Sequence, residues 1–147
     1  MMRKLWLFLL MLLGGGCTQQ GDANRDLLAT LPQRYAQFDL SLAWEVKAIG
    51  GKTIVDGVVK NLRYAHMDGI EVWVTAVDEA GKTIVRAAGF VVPQQVRQDE
   101  IANFSVKLPA VLPPGTRLQF TYKYRGSDGG DGGTNWSQSF DSVVPPR

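Results

Sequence analysis

Apolar and polar residues alternate along most of the chain after residue 37, and the alternation is clearest in residues 70–78. One face of that segment carries four apolar side chains, those of Ile70, Val72, Val74 and Ala76. The other face carries Glu71, Trp73, Thr75 and Val77. A period of two residues with one apolar face predicts a β-strand in a sheet that packs on one side only, as in an antiparallel sandwich.

Six further segments have strand patterns, and glycine, proline or aspartate separates each from the next. We therefore predict seven strands, at residues 38–48, 53–62, 70–78, 83–92, 99–108, 117–125 and 135–143. Other predicted inward positions include Phe38, Leu40, Leu42, Trp44, Val46, Ala48, Val55, Val59, Ala102, Phe104, Val106, Leu108, Leu118, Phe120, Tyr122 and Tyr124. Seven short strands without a long helix among them predict an all-β fold, an immunoglobulin-like antiparallel β-sandwich of about seven strands.

Two predicted inward residues are not apolar strand formers. Gly57 lies in mid-strand, which indicates a bulge or a close neighbour. Asn61 lies at the end of the same strand, and we expect its amide to cap the following loop, residues 62–69. Within that loop, Met67–Gly69 is predicted to be a turn.

The first sixteen residues have the pattern of a secretory signal peptide. Met1–Lys4 carries two basic residues, Leu5–Leu13 is apolar throughout, and Gly14–Gly16 supplies small residues before a cleavage point. The apolar run is much shorter than the roughly 20 residues that span a membrane. A buried core helix is the other interpretation, and the apolar character on every side of the segment argues against it.

Cys17 is the only cysteine in the chain, so no disulfide can form within it. Leu13–Cys17, with the sequence LGGGC, resembles the bacterial lipobox. That resemblance implies a covalent lipid on Cys17, which would anchor the protein to a membrane. Thr18 stands where lipoproteins of the inner membrane often have aspartate, so the resemblance favours the periplasmic face of the outer membrane.

The chain is predicted to have three parts: a signal peptide at 1–16, a lipid-anchored tether with a short helix at 17–36, and the sandwich at 37–147. Residues 18–25 are polar without a period, and the helix is predicted within residues 26–36. Of the 16 basic residues, Arg3 and Lys4 leave with the signal peptide, so basic and acidic residues balance at 14 each. A neutral chain gives no reason to expect a nucleic-acid partner.

Three short motifs resemble the FxLYD-type sandwich domains of bacterial exported proteins. They are DGVVKN at Asp56–Asn61, IEVWVTAVD at Ile70–Asp78 and AGKTI at Ala80–Ile84. The resemblance implies a non-catalytic accessory domain with an immunoglobulin-like fold, and it brings no site residues.

Two groups of polar residues are candidates for a chemical site. His66, the only histidine, has Asp68 two residues on, but no serine has a nucleophile-elbow pattern, so a solvated loop histidine is favoured. Asp128 and Asp131 lie in the glycine-rich loop Gly126–Thr134, where oxygen ligands could bind Ca²⁺. Two carboxylates without the EF-hand spacing favour a plain hairpin loop, so no metal or other cofactor is expected.

Three aromatic residues are candidates for a binding surface: Trp73, Tyr64 and Trp136. The alternation of side chains along the strand places Trp73 on an outer face, where it could stack on a sugar or anchor a partner. Two other interpretations remain open: residues 27–35 could cover Trp73, or the parity could be wrong and Trp73 would be the buried tryptophan of immunoglobulin-like folds.

These patterns lead to one main expectation and two alternatives for the function. We expect a membrane-anchored lipoprotein whose non-catalytic domain binds another envelope protein or has a structural role, using an exposed sheet edge. A module that contacts carbohydrate or peptidoglycan is the first alternative, and a hydrolase is the remote one. A coplanar exposed aromatic pair would favour sugar, a bare strand edge would favour protein, and a polar cleft at His66 would favour the enzyme.

Overall fold

The computed structural model describes residues 19–130 and 132–147, with side chains from Gly21 onward. Within those residues it contains one helix and nine strands. They are α1 (Gln19–Thr30), β1 (Gln33–Ala36), β2 (Leu40–Ile49), β3 (Lys52–Asn61), β4 (His66–Val77), β5 (Thr83–Phe90), β6 (Gln95–Val96), β7 (Ile101–Leu108), β8 (Arg117–Ser127) and β9 (Thr134–Val143). The signal peptide, Cys17 and Thr18 lie outside the described residues, as does Asp131.

The strands form two antiparallel sheets that pack face to face. The first sheet has the order β1-β2-β3-β7, and the second has the order β5-β4-β8-β9, with β6 paired to β4. Apolar side chains of both inner faces form one core. Its largest members include Trp44, Tyr122, Phe120, Leu40, Leu42, Met67, Ile70, Leu108 and Leu118. The predicted immunoglobulin-like sandwich is therefore confirmed, because all seven predicted strands are present in two facing sheets.

The predicted inner faces are largely correct, with Phe38 as the main exception. Ile70, Val72, Val74 and Ala76 are all buried. Phe38, however, is 68% exposed, since β2 begins only at Leu40 and Phe38 belongs to the turn before it. An alternating pattern does not show where pairing with a neighbouring strand begins, so it overextends the strand.

β4 begins earlier than the pattern predicts. Met67–Gly69, predicted to be a turn, belongs to this strand, whose register with β8 shifts between Asp68 and Glu71. Gly69 has a positive φ of 58° there, a conformation that favours glycine. A bulge of this kind inserts extra residues and breaks the alternation, which explains why the sequence reads as a turn.

The N-terminal helix also differs from its prediction. α1 begins at Gln19, so Gly21–Arg25 is helical rather than a free tether, and β1 occupies residues that were assigned to the helix. β1 extends the first sheet by pairing Gln33–Ala36 with β2. Four residues are too few for a period-two pattern to be detected, so no pattern in the sequence indicates this strand.

The helix packs on the outer face of the first sheet. Leu31 lies against Ala43 and Val58, and both of these outward-facing side chains are fully buried beneath the helix. Asn24 donates a hydrogen bond of 3.3 Å from Nδ2 to the carbonyl oxygen of Ile101. The helix therefore runs from the level of Ile101, where β7 begins, toward the middle of the sheet.

One end of the sandwich, which we call the Phe38 end, is formed by four connections. Their described residues are 37–39, 62–65, 97–100, and 128–130 with 132–133. Asn61 organises part of this end: its Nδ2 donates to the carbonyl oxygens of Ala65 and Val96, both at 2.9 Å, and its Oδ1 accepts from Arg63 N at 2.8 Å. The predicted cap by Asn61 is thus confirmed, and the N-terminus of α1 points toward this same end.

Candidate functional site

The outermost strand of the second sheet, β9, has an unpaired edge. β9 pairs with β8 over ten residues in continuous register, from Thr134 to Val143, and none of the strands in residues 19–130 and 132–147 pairs with its other side. Its residues are mostly exposed, its one charged residue, Asp141, is paired with Arg117 of β8 at 2.7 Å, and the strand contains no lysine, proline or bulge. Those are the usual devices that prevent an edge from pairing with another chain. The unpaired backbone groups of β9 can therefore accept an added strand.

The other edges of the sandwich are less open. β5 crosses close over β7, so that a Cβ placed on Gly89 would lie 2.9 Å from the carbonyl carbon of Ser105. β1 covers the first half of β2, and the uncovered half carries Glu45 and Lys47, which form an ion pair of 2.7 Å. Charged side chains discourage strand addition. Among the described strands, β9 is the edge best suited to binding an extended peptide.

Aromatic side chains meet at the Phe38 end, beside the first residues of β9. The rings of Phe38 and Trp136 are 5.9 Å apart and lie edge to face at 67°. The Arg63 guanidinium lies 4.8 Å from the centroid of the Trp136 ring, a cation–π contact. Tyr64 follows Arg63 in the same loop and is 82% exposed. Two predicted candidates, Tyr64 and Trp136, thus lie at one end of the domain, together with Phe38, which the sequence had suggested was internal.

A buried carboxylate lies directly behind this surface. Asp39 is only 2% exposed, and its two oxygens accept hydrogen bonds from Tyr122 Oη at 3.0 and 3.2 Å and from Tyr124 Oη at 2.8 Å. Its Oδ1 also accepts from Leu40 N at 3.0 Å. Arg63 Nη1 donates to Tyr124 Oη at 3.3 Å. The network connects the half-buried Arg63 to the buried Asp39 and so fixes the turn that presents Phe38.

The two tyrosines of this network are held in their neutral form. Burial raises the pKa of Tyr124 to about 12; Arg63 opposes this shift, and Asp39 adds to it. Burial also raises the pKa of Tyr122, and the neighbouring Asp39 charge raises it further. A neutral phenol can donate to the carboxylate, whereas a phenolate beside it would repel it. The hydroxyls are therefore donors at neutral pH.

Trp73 lies elsewhere, on the outer face of the second sheet. Its Nε1 donates to Glu71 at 2.8 Å, and Arg86 and Lys123 lie 4.4 and 5.7 Å from its ring centroid. α1 packs on the other sheet, so the idea that residues 27–35 cover Trp73 is wrong. The parity was correct, because the buried tryptophan of this sandwich is Trp44. Charged side chains, rather than a helix, cover much of Trp73.

The sequence context suggested that His66 is a loop residue. In the structure it is instead the first residue of β4. It pairs with Ser127 across the sheet, and Asp68 lies two residues on in the same strand. Ser127 Oγ donates directly to Asp68 Oδ2 at 3.1 Å, and Gln95 Nε2 donates to Asp68 Oδ1 at 2.9 Å. A catalytic triad requires the histidine between serine and aspartate, and here serine and aspartate contact each other.

Asp128, one of the two candidate calcium ligands, is bonded to the backbone of its own loop. Asp128 Oδ1 accepts from Gly130 N at 3.3 Å, and Asp131 lies outside the described residues. Among residues 19–130 and 132–147, no three histidine, cysteine, aspartate or glutamate side chains come together as metal ligands. The predicted loop is also shorter than expected, because Gly126 pairs with Thr134.

A shallow groove of about 450 Å³ lies on the first sheet beside the C-terminal half of α1. Leu27, Phe90 and Val92 contribute exposed apolar side chains to it, and Glu45 and Asp56 lie at its polar side. It contains none of the predicted site residues.

In the described part of the chain, no helix has both the length and the apolar character needed to cross a membrane.

Comparison with known proteins gives similarity of structure alone. No protein-family model matches the chain, and no curated protein matches it. The GAE domain of GGA2p from Saccharomyces cerevisiae superimposes with a TM-score of 0.49 and 10% identity, covering 79% of this chain and 100% of that one. A DUF4426 family protein from Pseudomonas aeruginosa PAO1 superimposes with a TM-score of 0.44 and 18% identity, covering 79% of this chain and 99% of that one.

Proposed function

We propose that this protein is a bacterial lipoprotein, held in the cell envelope by a lipid on Cys17, whose immunoglobulin-like domain binds another envelope protein without catalysing a reaction. The signal-peptide pattern and the lipobox-like LGGGC support the anchor. Thr18 favours the periplasmic face of the outer membrane. The proposal includes an FxLYD-type domain, since the three motifs that resemble that family fall on β3, β4 and the turn after β4.

The open edge of β9 is the observation that carries the binding role. A partner segment in extended conformation would pair with β9 and add a strand to the second sheet, gaining main-chain hydrogen bonds along ten residues. The exposed side chains of Ser137, Gln138 and Ser139, farther along this edge, would contact the partner's side chains.

The geometry gives less support to the two alternatives. Stacking on a sugar requires a flat, accessible ring, whereas Trp136 lies edge to face with Phe38 and cations lie over Trp73. A hydrolase would require a histidine positioned to activate its nucleophile, and Ser127 donates to Asp68 instead. Protein binding through β9 therefore accounts for more of the observed geometry.

Site-specific photocrosslinking tests the binding role. A photoreactive amino acid at Ser137, which is exposed on β9, should produce a discrete crosslinked product in living cells. The matched control is Ile84, which is exposed on β5 at the opposite edge of the same sheet. A product from position 137 but not from position 84 is expected. The same product from both positions, or none from position 137, would contradict docking on β9.

Replacing the proposed lipid attachment residue tests the anchor. The Cys17→Ser variant should lack the acyl groups and leave the membrane fraction, since each buried CH₂ contributes about 0.8 kcal/mol to membrane binding. Fractionation after a high-salt wash, with mass spectrometry of the N-terminal peptide, measures both effects. A variant that stays with the membranes after this wash would remove the main support for the anchor.

A further inference from the structure

Exposed aromatic side chains are concentrated at one end of the domain. Four aromatic residues in the described part of the chain are exposed: Phe38, Tyr64, Phe90 and Trp136. Three of them, all except Phe90, lie at the Phe38 end, where Leu62 is also exposed. Exposed apolar groups clustered at one place indicate a surface that meets an apolar partner or a membrane.

The direction of α1 brings the proposed anchor to this same end. Asn24 bonds to Ile101 at the Phe38 end, and Leu31 packs nearer the middle of the sheet, so Gln19 lies toward the Phe38 end. Cys17 precedes Gln19 by two residues, and two residues of chain span at most about 7 Å. A lipid on Cys17 would therefore enter the bilayer at the same end of the domain as the exposed aromatic side chains.

We propose that the Phe38 end docks into the interface of the bilayer that holds the Cys17 lipid. This inference rests on the proposed lipid anchor. Trp136 and Tyr64 would lie at the level of the lipid headgroups, where tryptophan and tyrosine are enriched in membrane proteins. Phe38 and Leu62 would reach the upper part of the acyl chains. Arg63, above the Trp136 ring, can bond lipid phosphates while its aliphatic part stays on apolar surface.

The charges at this end show which contribution to binding dominates. Both signs are present there, on Arg63, Arg97, Arg125, Asp99, Glu100 and Asp128. Lys60, beside them, forms an ion pair of 3.6 Å with Asp99. A surface of mixed sign has little net attraction for anionic lipids. Docking should therefore depend on apolar burial, occur on uncharged vesicles, and resist salt.

Docking would also orient the domain. β2, β4 and β9 begin at the Phe38 end, so all three strands would run away from the bilayer. The edge of β9 would then extend into the periplasm from Trp136, near the membrane, toward Val143. The same contact that holds the domain on the membrane would present the open edge to a partner from the side.

Fluorescence of the acylated full-length protein in phosphatidylcholine vesicles tests this arrangement. Acylation consumes the Cys17 thiol, so Tyr64→Cys supplies a single thiol for an environment-sensitive fluorophore. Ile49→Cys is the matched control, because Ile49 is 55% exposed and ends β2 at the opposite end of the sandwich. The label at position 64 should shift to shorter wavelength and be quenched by brominated lipid, while the label at position 49 should be quenched by aqueous iodide.

The outcomes separate the docking from the anchor. Acylated protein whose label at position 64 is quenched by iodide as readily as that at position 49 would overturn the docking and leave the anchor intact. If 1 M NaCl made the label at position 64 accessible to iodide, the docking would also be overturned, since the contact would then be electrostatic. Protein without the acyl groups, by mass spectrometry, would overturn the proposed anchor itself. The expected result is that only the label at position 64 is shielded from iodide, and that it stays shielded in 1 M NaCl.

Discussion

Asp39 shows how much a single polar residue can organise at one end of this sandwich. A buried carboxylate is costly unless donors surround it, because it loses its hydration. Here Tyr122, Tyr124 and the Leu40 amide supply those donors. The turn that carries Phe38 is consequently held against β8, and the exposed aromatic surface has a rigid base.

Removal of one donor from this network should lower stability in a pH-dependent way. Tyr124→Phe leaves the buried Asp39 one hydrogen bond short, which should lower the free energy of unfolding by about 1–3 kcal/mol at pH 7. The pKa of Tyr124 is raised to about 12 in the folded protein, against about 10 when unfolded. Its contribution is therefore complete below pH 10 and is lost as the pH rises toward 12.

Urea unfolding between pH 7 and pH 11.5 measures both parts of this prediction. The wild type should lose stability above pH 10, and Tyr124→Phe should lose it less steeply. Tyr64→Phe is the matched control, since Tyr64 is 82% exposed and should keep the wild-type midpoint at pH 7. Equal midpoints for all three proteins at pH 7 would show that the Asp39 network contributes little.

At the scale of the elements, β3 is fixed between two neighbours by a close approach at Gly57. Gly57 pairs with Trp44 on β2 and with Phe104 on β7. A Cβ at this position would lie 2.7 Å from the Phe104 ring and would also overlap the backbone oxygen of Ala43. The close neighbour that the sequence predicted is confirmed, and it comes from the adjacent strand of the same sheet.

Alanine substitutions at two glycines should therefore have opposite effects. Gly57→Ala should lower the free energy of unfolding by about 1–3 kcal/mol, because the added methyl group meets a backbone atom that cannot move away. Gly21→Ala should raise it by about 0.5–1 kcal/mol, since Gly21 lies in α1 with no heavy atom within 4 Å of the new carbon. Equilibrium unfolding of both variants checks the prediction, and a tolerated Gly57→Ala would contradict the close packing.

At the scale of the whole molecule, the core lies between the two sheets, and the connections between strands contribute few of its residues. The β8–β9 connection, residues 128–133, has no apolar residue to bury. Such a segment cannot offset the conformational entropy lost on ordering, about 1–2 kcal/mol per residue. Its length should therefore matter little to the stability of the sandwich.

A shortened connection tests this view together with the calcium hypothesis. Replacing residues 128–133 by Asn-Gly leaves a three-residue hairpin loop, Ser127-Asn-Gly, between the paired residues Gly126 and Thr134, and it should keep or raise the melting temperature. Millimolar Ca²⁺ should leave both proteins unchanged. A rise of several degrees in the wild type alone would instead establish a cation site that involves Asp128 or Asp131.

The sequence by itself determined the features that depend on neighbouring residues in the chain. Alternation is a local property, so it located the seven long strands and the inward positions of β4, β7 and β8. Glycine in mid-strand indicated the close packing at Gly57, and a polar inward residue indicated the cap by Asn61. These signals arise from strand geometry and hydrogen-bond requirements, which are the same in any sheet.

Only the tertiary structure decided which distant segments meet. The burial of Asp39 depends on tyrosines more than 80 residues away, and the cover over Trp73 comes from Arg86 and Lys123 on neighbouring strands. The open edge of β9 and the direction of α1 likewise follow from the order of strands and from packing on the first sheet. No local pattern encodes these contacts, because each results from two segments that are independent in sequence and become neighbours only when the core is buried.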